Sequence, residues 1–186
     1  TSLTPPGVGF SFVTGAPMIA ELAARALVPG IDVYSAKIHP VKKGFHIQIE
    51  LDGLKDAHGA VSIRDCEDYS ARISSLLDEM IAAEDASLPP GIAVDNYTLE
   101  VSSAGAEREL RLPQEFERFK DLPIKIVYRQ EGKTGTGVFT YKGKGAEGKF
   151  LFESFETRRR KTEKRRSVQM ELDLSDIQRV NLFLDF

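Results

Sequence analysis

From Asn96 to Ser103 the chain alternates apolar with polar positions. Tyr97, Leu99 and Val101 fall on one side, and Thr98, Glu100 and Ser102 on the other, the period of a half-buried strand. The same alternation is strongest at Phe45–Asp52, where Phe45, Ile47, Ile49 and Leu51 interleave with His46, Gln48, Glu50 and Asp52. A third strand is expected over Ile31–His39, with a turn at Val41–Gly44. Two stretches follow helical spacing instead. Pro17–Val28 carries Ile19, Leu22, Ala23, Ala26 and Leu27, and Pro29-Gly30 stops it. Ser62 to about Ala83 carries Cys66, Ile73, Leu76, Leu77 and Met80, helped by Tyr69, with Ser62 as N-cap and Asp65 three residues on. Gly53–Ala60 and Glu84–Asp95 read as polar connections.

Past Ser103 the pattern changes. Ser102-Ser103-Ala104-Gly105 suits a tight turn, and Arg111–Pro113 reads as a boundary. Glu115–Lys120 is a helical turn carrying Phe116 and Phe119. Short strands are expected at Ile124–Arg129, Gly137–Lys142, Lys149–Phe155 and Ser167–Leu174, with turns at Glu131–Gly135 and Gly143–Gly148. Such strands in so short a segment predict a small closed β-barrel. The expected fold class is therefore α+β. Residues 1–16 form an aperiodic leader or extension, expected to be disordered. Residues 17–104 form a two-layer α/β domain with a three-stranded sheet and two helices. Residues 105–113 are a linker, and 114–186 the β-barrel domain.

Charge sharpens that division. The formal net charge is −3. Residues 1–112 hold 9 Lys and Arg against 16 Asp and Glu, a net of −7, whereas residues 113–186 hold 16 against 12, a net of +4. Unlike halves suggest unlike partners. The basic excess is concentrated in Thr157–Arg166, TRRRKTEKRR, between two expected strands. Arg158, Arg159, Arg160, Lys161, Lys164, Arg165 and Arg166 have Glu163 as their one acidic neighbour. Without interleaved aromatics, this stretch suits phosphate contact and not base stacking. No apolar run approaches a membrane span, and no signal peptide is recognisable. The lone Cys66 excludes an internal disulfide and fits a reducing compartment.

Candidates for covalent chemistry are weak. Ser102 and Ser103 lack the spacing of a nucleophile elbow. His39, His46 and His58 have no ligand at i+2 or i+4, so no local metal pair forms. Cys66 lies on an apolar stripe as a small hydrophobe. Gly132, Gly135, Gly137, Gly143, Gly145 and Gly148 fall between strands as hairpin turns, since no Walker lysine-serine follows. The acidic run Asp65, Glu67 and Asp68 opens a helix, where it complements the dipole. A metal-dependent nuclease or hydrolase built on that run is the main alternative, and a stand-alone Sm-like RNA-binding ring is a third.

Tyr97, Leu99, Glu100, Val101, Ser102, Ser103, Gly105, Arg108 and Leu110 stand in register with a run close to YxLEVSSPGxxRPL. That run is the signature of the ribosome maturation factor RimP family, which this chain resembles. Ala104 and Glu109 replace the two prolines, so the turn is expected to be less stiff here. Asp65, Cys66, Ser70, Leu77 and Asp78 match a second family pattern, DCxxxSxxxxxxLD. Ser175–Leu182 is similar to the family's closing motif. The resemblance implies an SH3/Sm-like barrel, no catalysis and no cofactor. It further implies a cytoplasmic, monomeric factor that binds immature small (30S) ribosomal subunits through the twelfth small-subunit protein and rRNA. Arg108 is expected to anchor its segment to a carboxylate.

Overall fold

A computed structural model describes residues 17–156 and 168–185. The chain divides into two compact units between Gly105 and Ala106. The basic stretch, with all seven of its candidate rRNA-binding residues, lies outside the described residues, as does the leader.

The first unit opens with helix α1 (Pro17–Arg25), three residues shorter than the apolar spacing suggested. Strands β1 (Ile31–Val41) and β2 (Gly44–Gly53) pair antiparallel, helix α2 (Ile63–Ala82) follows, and β3 (Tyr97–Ser103) pairs with β2 in parallel. A parallel neighbour needs a long crossover, which α2 provides. The order is β1-β2-β3, so β2 is central. Its Ile47, Ile49 and Leu51 are fully buried against Leu22 and Ala23 of α1 and Tyr69, Ile73 and Leu77 of α2.

β1 continues past His39 because it is an edge strand, where Pro40 costs no ladder hydrogen bond. A bulge between Val33 and Ser35 shifts its register, which explains why no clean alternation marks it in the sequence. At the start of α2 the Asp65 amide donates to Ser62 Oγ at 3.1 Å, and the Ser62 hydroxyl donates to Asp65 Oδ2 at 2.6 Å. Ser62→Ala is expected to cost about 1 kcal/mol, the ordinary worth of an N-cap. Urea unfolding of the full chain measures it.

The second unit holds a short helix α3 (Glu115–Arg118) and five strands. These are β4 (Pro123–Gln130), β5 (Lys133–Lys144), β6 (Phe150–Ser154), β7 (Gln169–Leu172) and β8 (Ile177–Leu182). They form one antiparallel sheet in the order β7-β6-β5-β4-β8. Among the described residues no ladder joins β7 to β8, so the sheet is not closed by hydrogen bonds as the barrel reading expected. It does enclose one core, to which all five strands contribute. Phe116 sits at its centre, 5.0 Å from the rings of both Tyr141 and Phe150 and 5.6 Å from Phe152.

Three glycines expected in turns, Gly135, Gly137 and Gly143, are strand residues. Glu131 and Gly132, both at positive φ, make a two-residue hairpin, so β5 starts at Lys133 and includes Gly135 and Gly137. A Cβ on Gly135 would meet the Tyr128 ring at 2.5 Å. Residues 106–113, expected as a linker, are packed into the second unit. The Leu110 amide donates to Val180 O at 2.7 Å, the Leu182 amide donates to Arg108 O at 3.0 Å, and Leu110 joins the core. With the bridge between Glu109 and Asn181, this segment lies along the outer side of β8.

Candidate functional site

The sequence signature runs across the division between the two units, and its parts have different work. Tyr97 fastens β3 to α2. Its hydroxyl donates to Asp78 Oδ1 at 2.9 Å and lies 3.0 Å from Ser74 Oγ. Burial chiefly, with the Asp78 carboxylate, pushes that phenol's pKa up, so it stays a donor. Ser103 Oγ accepts from the Val61 amide at 3.2 Å and holds the approach to α2. Glu100 faces the other way and is exposed. Its Oε2 lies 3.2 Å from His46 Nε2 and accepts from Gln48 Nε2 at 3.3 Å.

The turn is tied down in a way a proline could not manage. Ala104 donates its amide to Leu51 O at 2.8 Å, extending the ladder by one bond. Proline has no N–H, so the substitution that removes stiffness also adds this hydrogen bond. Gly105 follows at φ 84°, with nothing within 4 Å of a Cβ placed there. The demand on that residue is conformational, not steric.

Arg108 is buried in the second unit. Its Nη2 donates to Glu115 Oε1 at 2.7 Å, and its guanidinium lies 5.1 Å from the Phe119 ring centroid. Glu115 Oε2 accepts from the Arg111 amide at 2.7 Å, so one carboxylate holds two points of the segment. Arg108 is an anchor, as expected. Its partner Glu115 had no signal in the sequence, because it lies seven residues away in a helical turn too short to show a period.

A long open groove of about 1240 Å³ runs between α2 and β3. Cys66, Glu67, Ser70, Ala71 and Ser74 line its helical side, and Tyr97–Ser103 the strand side. Cys66 is half-buried there, packed against the edge of the core, and burial pushes its thiol pKa up, away from a reactive thiolate. The groove gathers Cys66, Tyr97, Glu100, Ser102 and Ser103 from the two family patterns, while Asp65 and Gly105 do not line it and Arg108 belongs to the second unit.

Asp65, Glu67 and Asp68 do not converge. At 100° per residue Asp65 and Asp68, three apart, share one side of α2 while Glu67 points away from both, and Asp65 is engaged with Ser62. Among the described residues no three His, Cys, Asp or Glu side chains are placed to hold a metal ion. The antiparallel register does set His39 opposite His46, a juxtaposition that spacing along the chain does not reveal.

The side chains of the signature hold strand, helix and turn in place beside an open groove. The RimP N-terminal domain family matches residues 21–107. Two similar proteins are each named ribosome maturation factor RimP. One, from Leptospira biflexa serovar Patoc, is 35% identical over 169 residues, covering 90% of this chain and 95% of the relative. The other, from Leptospira interrogans serogroup Icterohaemorrhagiae serovar copenhageni, is 31% identical over 157 residues, 83% and 88% of the two. The chain belongs to the RimP family of non-enzymatic ribosome maturation factors. No helix among the described residues is long and apolar enough to cross a membrane.

Proposed function

We propose that this protein serves maturation of the small ribosomal subunit as a monomeric, cytoplasmic factor that binds immature particles. Its acidic first unit holds a basic ribosomal protein, the twelfth of the small subunit. Its basic stretch, 157–166, contacts rRNA phosphates. The observation that carries this reading is the opposed charge of the two halves, −7 up to residue 112 and +4 beyond it, in a chain whose relatives are ribosome maturation factors. Opposite fields steer a basic protein and an anionic RNA to different surfaces and raise their on-rates. Such a factor moves an assembling particle only by preferring one of its states.

The test is retention of the purified twelfth small-subunit protein by the immobilised full chain. Retention at low salt that weakens as salt rises is the expected result. No retention at low salt would overturn the assignment of this partner.

A further inference from the structure

The outer side of β3 is an unpaired sheet edge. Phe45 donates to Asn96 O at 2.9 Å and Ala104 to Leu51 O at 2.8 Å, so residues 96 and 104 turn their peptide groups toward β2. Successive residues of a strand turn theirs to alternate sides, so 98, 100 and 102 also face β2. Tyr97, Leu99, Val101 and Ser103 therefore present N–H and C=O groups outward. No strand pairs with them among the described residues.

The two edges of this sheet are treated differently. The β1 edge carries the devices that discourage strand addition: a bulge after Val33, Lys37 and Pro40. β3 has no bulge, lysine or proline. It borders the groove instead, and two exposed apolar side chains flank that groove, Ile63 at 80% and Val94 at 58% exposure. The charged residues lining the groove are both acidic, Glu67 and Glu100, and no lysine or arginine lines it.

We infer that the β3 edge takes an extended, basic segment of a ribosomal protein as a fourth strand. The bound strand would alternate small or apolar side chains, set against Cys66, Ala71 and Leu99, with lysine or arginine set toward Glu100. Main-chain hydrogen bonds then supply affinity, and the alternating side chains supply selectivity. The inference rests on the proposed function for the origin of the segment, not for the edge itself.

The test follows backbone amide exchange by NMR in the full chain, with two probes. The first is an end-blocked seven-residue peptide alternating Val and Lys; the second is the twelfth small-subunit protein. With the peptide, exchange at outward amides such as Leu99 and Val101 is expected to slow about tenfold or more, equivalent to about 1.4 kcal/mol. The inward amides of Thr98, Glu100 and Ser102 should change less, and a Val–Glu peptide should leave all of them unaltered. Leu99→Pro removes an outward donor while sparing the β2 ladder and should abolish the protection. Glu100→Lys, at an exposed position, should weaken peptide binding without unfolding the sheet.

Outward amides that exchange no more slowly with the Val–Lys peptide, or equally slowly with the Val–Glu peptide, would overturn the inference. Outward amides already protected in the free chain would also overturn it, since the edge would then be covered by the chain itself or a second copy. Protection by the peptide without binding of the ribosomal protein supports the edge and removes the partner. Binding of the ribosomal protein with the outward amides unprotected removes the edge and keeps the partner.

Discussion

Glu115→Ala is expected to destabilise the second unit by about 3–5 kcal/mol, the usual consequence of removing one partner of a buried ion pair. The Arg108 side chain is 1% exposed, so water cannot replace the lost carboxylate. The same change removes the acceptor for the Arg111 amide, a further loss. Replacing both partners by apolar residues, Arg108→Met with Glu115→Leu, should cost much less, because both buried charges are then removed together. The Leu182 amide, which donates to Arg108 O, gives a local reading. Its hydrogen exchange in the full chain should accelerate strongly in the single variant and modestly in the double. Equal destabilisation by both would show that side-chain volume, and not the ion pair, holds the segment.

Changing Arg158, Arg159, Arg160 and Lys161 together to alanine should flatten the salt dependence of binding to immature small subunits. About four phosphate contacts, each near −0.7 for a single strand, give a log–log slope of roughly −3. Between 50 and 200 mM salt the wild-type affinity would then fall about 50-fold, and the quadruple variant should lose most of that dependence along with affinity at low salt. The loss should be about uniform across RNA sequences, since phosphate contacts position without specifying. Thermal stability should hardly change. A salt titration of wild type against variant measures both quantities, and coincident curves would remove the stretch from the RNA-binding surface.

Elements whose side chains face two different solvents were legible in the sequence. β2 alternates fully buried Ile47, Ile49 and Leu51 with half-buried His46, Gln48 and Glu50, and α2 was framed by its cap at Ser62. β1 runs past His39, where its sequence pattern ends, because an edge strand tolerates a proline that would end a central one. The start of β5 is not legible in the sequence because Gly135 is required by the Tyr128 ring above it, a reason invisible along the chain. The groove was not legible either. Cys66 and Ser70 match one family pattern and Tyr97 and Ser103 another, and only the crossover through α2 brings them to one groove. The anchoring role of Arg108 is legible in the signature, while its partner Glu115 emerges only through tertiary packing.

The hold of β8 on residues 108–110 has a consequence for synthesis. The first unit has all its strands once Ser103 is made, so its sheet can close early on a growing chain. The second unit cannot. Leu110, Phe116 and Phe119 emerge well before β8, whose backbone fixes the segment that carries Leu110. At about 5–20 residues per second, the interval is on the order of several seconds. During it, the aromatic half of the later core is present without its cover, and the nascent chain is an acidic folded domain trailing an apolar, unfinished one. Stalled or shortened chains lacking β8 would therefore be substrates for chaperones, while the acidic unit they carry would already be folded.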